Sequence, residues 1–355
     1  MASSVLVFAI ALIACASTAP PKQTRARQSH PHGPVEIIYI DYSSEESNSY
    51  EYSDEEVTEA PTRAPRPWRP WRGRPPWRGR PNGRRGQRPQ RTTTAAPPPV
   101  ENFVVNQENC GKRRSRSGVA RVVGGSETAP HEWPWVASLQ VASGRRSYRH
   151  HCGAALISDQ WAVTAAHCVM HSGYRLLVGA HNWRRPTAGS QSRTVRKIYR
   201  HPRYSDQSSA IEYDIALVKL DRPVAFSNQV SPICLSHSTK TEPRIGETCV
   251  VAGWGSSNQA FGSSSLRKVT LPRISRDQCS RYWGSISNKF LCAYSQGKDA
   301  CDGDSGGSLM CKENGKWFSA GIVSWGTLNC GSMPGVYTRV SHMYDWIEKT
   351  IRFAS

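Results

Sequence analysis

An all-β fold is predicted for the C-terminal two thirds of the sequence, and three observations predict it. Residues 122–355 alternate short β-branched or aromatic runs ("AALIS", "YRLLVG", "DIALVKL", "TCVVAGWG", "FSAGIVSWG", "GVYTRVS") with turns of Gly, Pro, Ser and Asn. Helical spacing occurs only at the end, where "SHMYDWIEKTIRF" repeats apolar residues at Met343, Ile347 and Ile351 behind a capping Ser341. Of the eleven cysteines, Cys15 falls in the leader, and the ten that remain form the even set expected of a disulfide framework. Barrel and sandwich both fit this pattern, as one large unit or two small barrels.

In chain order, the first element is the apolar run Val5 to Ala14, followed by the small residues Ala14, Cys15 and Ala16. It is too short to span a bilayer and reads as a secretory signal peptide over 1–16, although the usual positive start is missing. No later segment is long and apolar enough to be a membrane span. A secreted, extracellular protein with disulfides is therefore expected. Zinc is not, because close CxxC or CxH pairs are missing, and no Asn-x-Ser/Thr sequon is present.

Residues 17–121 are dominated by Pro, Arg, Glu, Ser and Thr, cannot build a core of their own, and are expected to be disordered. Charge is sorted within this arm. Positions 36–59 carry nine acids and no Lys or Arg, together with Tyr39, Tyr42, Tyr50 and Tyr52, while 63–91 carry eleven arginines and no acid. The basic block repeats "PWRPWRGRPPWRGRP", which favours an extended polyproline helix with Trp68, Trp71 and Trp77 beside arginines. The Thr/Pro stretch 92–99 looks like a stalk able to carry O-glycans. The arm is either a soluble spacer or a tether for an anionic glycan, an acidic protein or its own acidic block.

The strings that carry chemistry lie in the β-rich part. Serine nucleophiles need a base to take their proton and a carboxylate to hold that base in one tautomer. "TAAHC" supplies His167, "DIAL" supplies Asp214 and "GDSGG" supplies Ser305. Each string alone is modest evidence, since a His beside a Cys is commonly structural and an Asp opening a strand is commonly a cap. Their order, His then Asp then Ser, is that of the chymotrypsin type and differs from those of subtilisin and the α/β-hydrolases. With "RVVGG" upstream and "SWG" downstream, the chain resembles the trypsin and chymotrypsin family of serine proteases from Cys110 to about Ile351.

The resemblance implies two six-stranded antiparallel β-barrels, with the active site between them and a C-terminal helix, over a protease domain of 122–355. It implies that His167 is general base and acid, Asp214 its orienter and Ser305 the nucleophile of an acyl-enzyme mechanism. The N–H groups of Gly303 and Ser305 would form the oxyanion hole. It pairs Cys152 with Cys168, Cys249 with Cys311, Cys279 with Cys292, Cys301 with Cys330 and Cys110 with Cys234. Cleavage after Arg121 would free the Val122 amino group to pair with Asp304, so the precursor is expected to be nearly inactive. Asp299 would sit at the base of the specificity pocket, with Ala300, Ser324, Trp325, Gly326 and Gly335 around it. Ala300 has no hydroxyl to help a shorter Lys, so Arg is expected over Lys.

Departures from the family pattern matter too. Asp302 stands where a neutral residue is commoner, and is either a solvated charge or a preference for basic residues flanking the cut. Ala180 replaces the first calcium-binding acid of digestive trypsins, and Pro334 matches members without the sodium site, so no metal or cofactor is expected. Arg184, Arg185, Arg193, Arg196, Lys197, Arg200 and Arg203 form either a solvated face or an anion-binding exosite able to dock the acidic tyrosine-rich block. The dibasic "CGKRRSRSGVAR" invites a trypsin-like or dibasic-cleaving activating protease. Substrates with Arg or Lys before the cut are the expected partners, nucleic acid is not, and an anionic glycan or acidic protein is a candidate for 63–91. The rival readings are a dead protease homologue, which would have lost a triad residue, and an adhesive or glycan-binding protein that acts through its basic arm.

Overall fold

The computed structural model describes residues 22–28, 35–41, 106, 108–113, 125–144, 147–171, 173–205, 211–256, 262–327 and 329–354. The leader 1–16, the basic block 63–91, the stalk 92–99 and the activation pair Arg121 and Val122 lie outside the described residues.

Six strands close the first barrel: β4 (Val136–Ala142), β5 (Tyr148–Leu156), β6 (Trp161–Thr164), β7 (Tyr174–Val178), β8 (Gln191–Arg200) and β9 (Ala216–Leu220), with β1 and β2 reserved for the arm and β3 for Ser126–Glu127. Around the barrel the order is β8-β7-β4-β5-β6-β9, and β9 returns to β8. The second barrel follows the short β10 (Cys234–Leu235). It comprises β11 (Thr248–Gly253), β12 (Arg267–Ile274), β13 (Phe290–Ala293), β14 (Ser308–Glu313), β15 (Lys316–Trp325) and β16 (Gly335–Arg339), ordered β15-β14-β11-β12-β13-β16 and closed by β15–β16. Closure pairs most of the strand edges that would otherwise invite aggregation, but leaves the β8 edge beyond its pairing with β7 to be covered from outside the barrel. The predicted two-barrel architecture is what the structure has.

One apolar cluster runs from the first barrel through Trp254, Met310 and Ile322 of the second, while Val251, Leu271, Leu291, Leu309 and Tyr337 fill the second barrel's interior. Trp135 is fully buried, and its indole N–H donates to the Met310 sulfur at 2.9 Å, tying the two barrels together. Each buried Leu or Ile contributes roughly 1.5–3 kcal/mol. All five disulfides pair as the family resemblance implied. Helix α1 (Arg276–Trp283) carries a capping box, in which Ser275 and Gln278 satisfy each other's backbone N–H groups.

The C-terminal helix α2 (Val340–Phe353) buries Met343, Trp346, Ile347 and Ile351, the face that helical spacing predicts. Its cap differs from expectation: Arg339 is the N-cap residue and Ser341 lies inside the first turn. The reason is Glu242, a buried carboxylate that draws in donors. Arg339 pairs with it through two bonds of 2.6 and 2.9 Å, and the Ser341 hydroxyl also donates to it.

Two segments of the arm are strands. β1 (Lys22–Gln28) and β2 (Val35–Asp41) form an antiparallel hairpin, and β2 runs parallel to β8. They lie inside the stretch whose composition cannot build a core; they extend a sheet built elsewhere. Nearer the protease domain, Cys110 is bonded to Cys234, and the Asn106 side chain exchanges two hydrogen bonds with the Leu235 backbone. Among the described residues no helix is long and apolar enough to cross a membrane.

Candidate active site

Strand register delivers the base and its orienter together. β6 and β9 pair antiparallel with Thr164 opposite Ala216. His167, in the 3-10 turn Ala166–Val169 just past β6, and Asp214, just before β9, therefore emerge at the same end of the barrel. The His167 Nδ1–H donates to Asp214 Oδ2 at 2.7 Å, and the His167 backbone N–H donates to Oδ1 at 2.9 Å. Asp214 is fully buried, and the Ser324 hydroxyl supplies a third donor at 2.6 Å. Three donors compensate the burial of its charge, and the Nδ1 bond leaves Nε2 as the basic nitrogen. His167 also groups with Cys152 and Cys168, but those two sulfurs are bonded to each other, so the cluster is not a metal site.

Ser305 comes from the other barrel, on the loop between β13 and β14. The Gly153 N–H of β5 donates to the Ser305 carbonyl at 2.8 Å. Gly306 makes this approach possible. It has φ +79°, and a Cβ there would lie 2.2 Å from Thr164 Oγ1 and 3.0 Å from the Ala165 nitrogen, two residues before His167. The structure thus brings the nucleophile loop against the base, although Ser305 and His167 themselves share no hydrogen bond. In unliganded enzymes such bonds are commonly long and tighten with substrate.

The same loop aims two backbone donors. The Asp302 carbonyl accepts from the Ser256 N–H at 2.6 Å, and the Asp304 carbonyl accepts from the Gly307 N–H at 2.9 Å. In a planar trans peptide the N–H points opposite to the C=O. Pinning these two carbonyls therefore turns the N–H groups of Gly303 and Ser305 the other way, and neither donates to an acceptor among the described residues. They are free to hold an oxyanion. His150 adds a third fastening, bonding the Gly303 carbonyl at 2.9 Å and Ser138 at 2.7 Å. Burial lowers its pKa to about 4, which keeps it neutral.

Two carboxylates on the loop face cavities. Asp299, Ala300, Ser324, Trp325, Gly326 and Gly335, the predicted pocket residues, line one cavity of about 200 Å³ with Ser305, Asp302, Val323, Thr327 and Tyr337. Burial pushes Asp299 up to about 7, against the pull of the Ala300 N–H. Gly335 is essential to this shape, since a Cβ there would sit 2.6 Å from Asp299 Oδ1. Asp304 lines a second cavity of about 250 Å³ that Gly125 and Asp299 also border. Its oxygens accept from Gly255 and Cys301 at 2.8 and 3.0 Å, and burial still raises it to about 6. No cation pairs with either acid among the described residues.

Sequence reasoning missed His150, Gly306, Tyr337 and the bond from Ser324 to Asp214. Thr338, whose hydroxyl donates to the Asp214 carbonyl at 3.0 Å, was missed as well. Gly306, Ser324, Tyr337 and Thr338 lay in quoted strings, where the role of Ser324 in the pocket hid its second partner; His150 lay in none. A protein-family model described as Trypsin matches residues 122–347, which span every element of both barrels except the extreme termini of the domain. With that match, two closed six-stranded barrels and a His–Asp pair facing a serine loop, this chain belongs to the trypsin family of serine proteases.

Proposed function

We propose that the chain is the precursor of a secreted serine endopeptidase, activated by cleavage after Arg121, that cuts peptide bonds after Arg and less readily after Lys. The observation that carries this reading is the cavity that Ser305 and Asp299 both line, with Gly326 and Gly335 among its walls. A substrate guanidinium would fill that cavity, pair with Asp299 through two parallel bonds and lay its carbonyl carbon against Ser305.

Ser305 Oγ attacks that carbon while His167 Nε2 takes the hydroxyl proton, and Asp214 stabilises the imidazolium. The oxyanion rests on the Gly303 and Ser305 N–H groups, each worth roughly 3–4 kcal/mol. Collapse breaks the C–N bond and the leaving amine takes the proton from His167. Water, deprotonated by the same histidine, then hydrolyses the acyl-enzyme.

Activation is supported by the cavity at Asp304. Gly125 borders it, and the three residues from Val122 span about 10 Å when extended. A new Val122 ammonium group would thus reach the raised Asp304 carboxyl, ionise it and order the loop that carries Gly303. The arm stays linked through Cys110–Cys234 after that cut. Treatment of the precursor with trypsin, followed by Arg, Lys and Phe peptide substrates, tests the reading. The expected order is Arg, Lys, then Phe, with Ser305→Ala slower by about 10⁶-fold. Equal rates for both proteins, or Phe ahead of Arg, would refute it.

A further inference from the structure

The arm hairpin meets the most basic strand of the first barrel. β8 carries Arg193, Arg196, Lys197 and Arg200 and no acid. Lys219, opposite Lys197 on β9, has its pKa lowered by burial and then by the charges of Lys197 and Arg196, so positive charge is concentrated here. β9 occupies one edge of residues 195–200, and β2 takes the other at 197–199, beyond the stretch that pairs with β7. In this parallel register Glu36 lies opposite Lys197, Ile37 opposite Ile198 and Ile38 opposite Tyr199. Ile38 is only 2% exposed and belongs to the same core cluster as Ile198 and Tyr199.

Backbone pairing and a buried anchor therefore coincide on one strand edge, where the register sets the acidic residue 36 opposite the basic Lys197. We propose that this edge of β8 is an exosite for an acidic extended segment and that the chain's own residues 35–41 are its built-in occupant. They are held by strand addition and do not depend on the covalent link through Cys110. Main-chain bonds supply the affinity and the Ile38 site the specificity, as in other edge-strand recognition. The arm is rich in cleavage sites for a protease of the specificity proposed above. After such trimming the β2 segment remains on the domain as a separate peptide and keeps the basic face covered. This docking stands whether or not that specificity is right.

The sequence makes the test clean, because no Lys or Arg lies between Arg27 and Arg63. Trypsin acting on the native full chain, carrying Ser305→Ala so that only the added protease cuts, leaves β2 within peptide 28–63 or a longer one. Gel filtration at about 0.5 M salt, where the Debye length is only ~4 Å, removes contacts made by charge alone. The peptide is expected to elute with the domain, and Ile38→Asp is expected to weaken its retention by more than about tenfold. A peptide that separates from the unaltered domain overturns the proposal, and so does retention indifferent to Ile38→Asp. If the full chain elutes as a dimer that Ile38→Asp splits, the strand docks on a neighbouring copy and the intramolecular reading fails. Hydrogen exchange on the uncut chain gives a measurement independent of the variant. Amides of 36–38 should exchange slowly, and exchange at the rate of an unstructured peptide would also overturn the proposal.

Discussion

The two barrels supply their halves of the site by different means. In the first, His167 and Asp214 hang from adjacent paired strands, and the buried carboxylate already has three donors. In the second, Ser305, Asp299 and Asp304 share one loop, pinned by the Cys301–Cys330 bridge and by backbone bonds. Its two carboxylates sit in cavities with their acids pushed up to about 7 and 6. The first half has its donors in place, two from His167 and one lent by Ser324 of β15. The other carries two acids with no cation partner among the described residues; in the proposed function a new amino terminus would pair with Asp304 and a substrate side chain with Asp299. Under the proposed activation, activity would be gated by supply of that charge while the His167–Asp214 pair stays as it is.

The largest effect should come from removing the need for the internal cation. In the cleaved enzyme of the proposed activation, Asp304→Asn would leave the Val122 ammonium without its partner, and breaking one side of a buried pair costs roughly 3–5 kcal/mol. Activity on an Arg substrate should fall by about 10²–10³-fold. The downfield proton resonance of the bond between His167 Nδ1–H and Asp214 should persist, because that bond belongs to the other barrel. Activity within threefold of the unaltered enzyme, or loss of that resonance, would erase the contrast between the halves.

A smaller effect follows from the cavity that Asp299 lines. The folded pKa of Asp299 is raised, so between about pH 4 and 7 the folded protein holds a proton that the unfolded chain has released. Its contribution to stability is present at low pH and is lost as the pH rises through about 7. A small aryl-amidinium reverses the balance because it binds the ionised form. Its Kd should weaken about tenfold per pH unit below 7 and level off above it, with close to one proton released on binding at pH 6. Calorimetry in buffers of different ionisation enthalpy reads both quantities. A Kd that stays constant from pH 5.5 to 8 would mean that Asp299 is already ionised in the empty pocket.

The same division governs what the sequence reveals. Residues whose chemistry is fixed by local strings, His167 in "TAAHC" and the run from Asp299 to Gly307, are legible because short loops hold them in fixed order. Contacts made across the fold are not. Gly306 matters because Thr164 and Gly153 lie against it, His150 because Gly303 does, and Ser324 because Asp214 does, at a separation of 110 residues. Strand β2 was hidden for a different reason. "VEIIYID" is β-branched and aromatic, but it is embedded in an acidic, core-poor stretch, and it becomes a strand by borrowing the edge of β8. Ser341 looked like a cap because sequence does not show that Glu242 is buried beside it.

The finest test of the contrast is Asp302, an exposed acid on the same loop whose carboxylate has no gating work to do. Its carbonyl, not its side chain, anchors Ser256 and so fixes the direction of the Gly303 N–H. Asp302→Asn should therefore leave the oxyanion hole and kcat on an Arg substrate intact. Asp302 borders both the cavity that Asp299 lines and a neighbouring groove lined by His151, Trp183, Arg184 and Trp254. A single exposed charge is worth about 0.2–1 kcal/mol. Preference for Lys over Glu at positions flanking the cut, read as the ratio of kcat/KM values, should drop by no more than about fivefold and shrink further with salt. A fall in kcat as large as that of Asp304→Asn would show that this charge, too, helps to hold the loop.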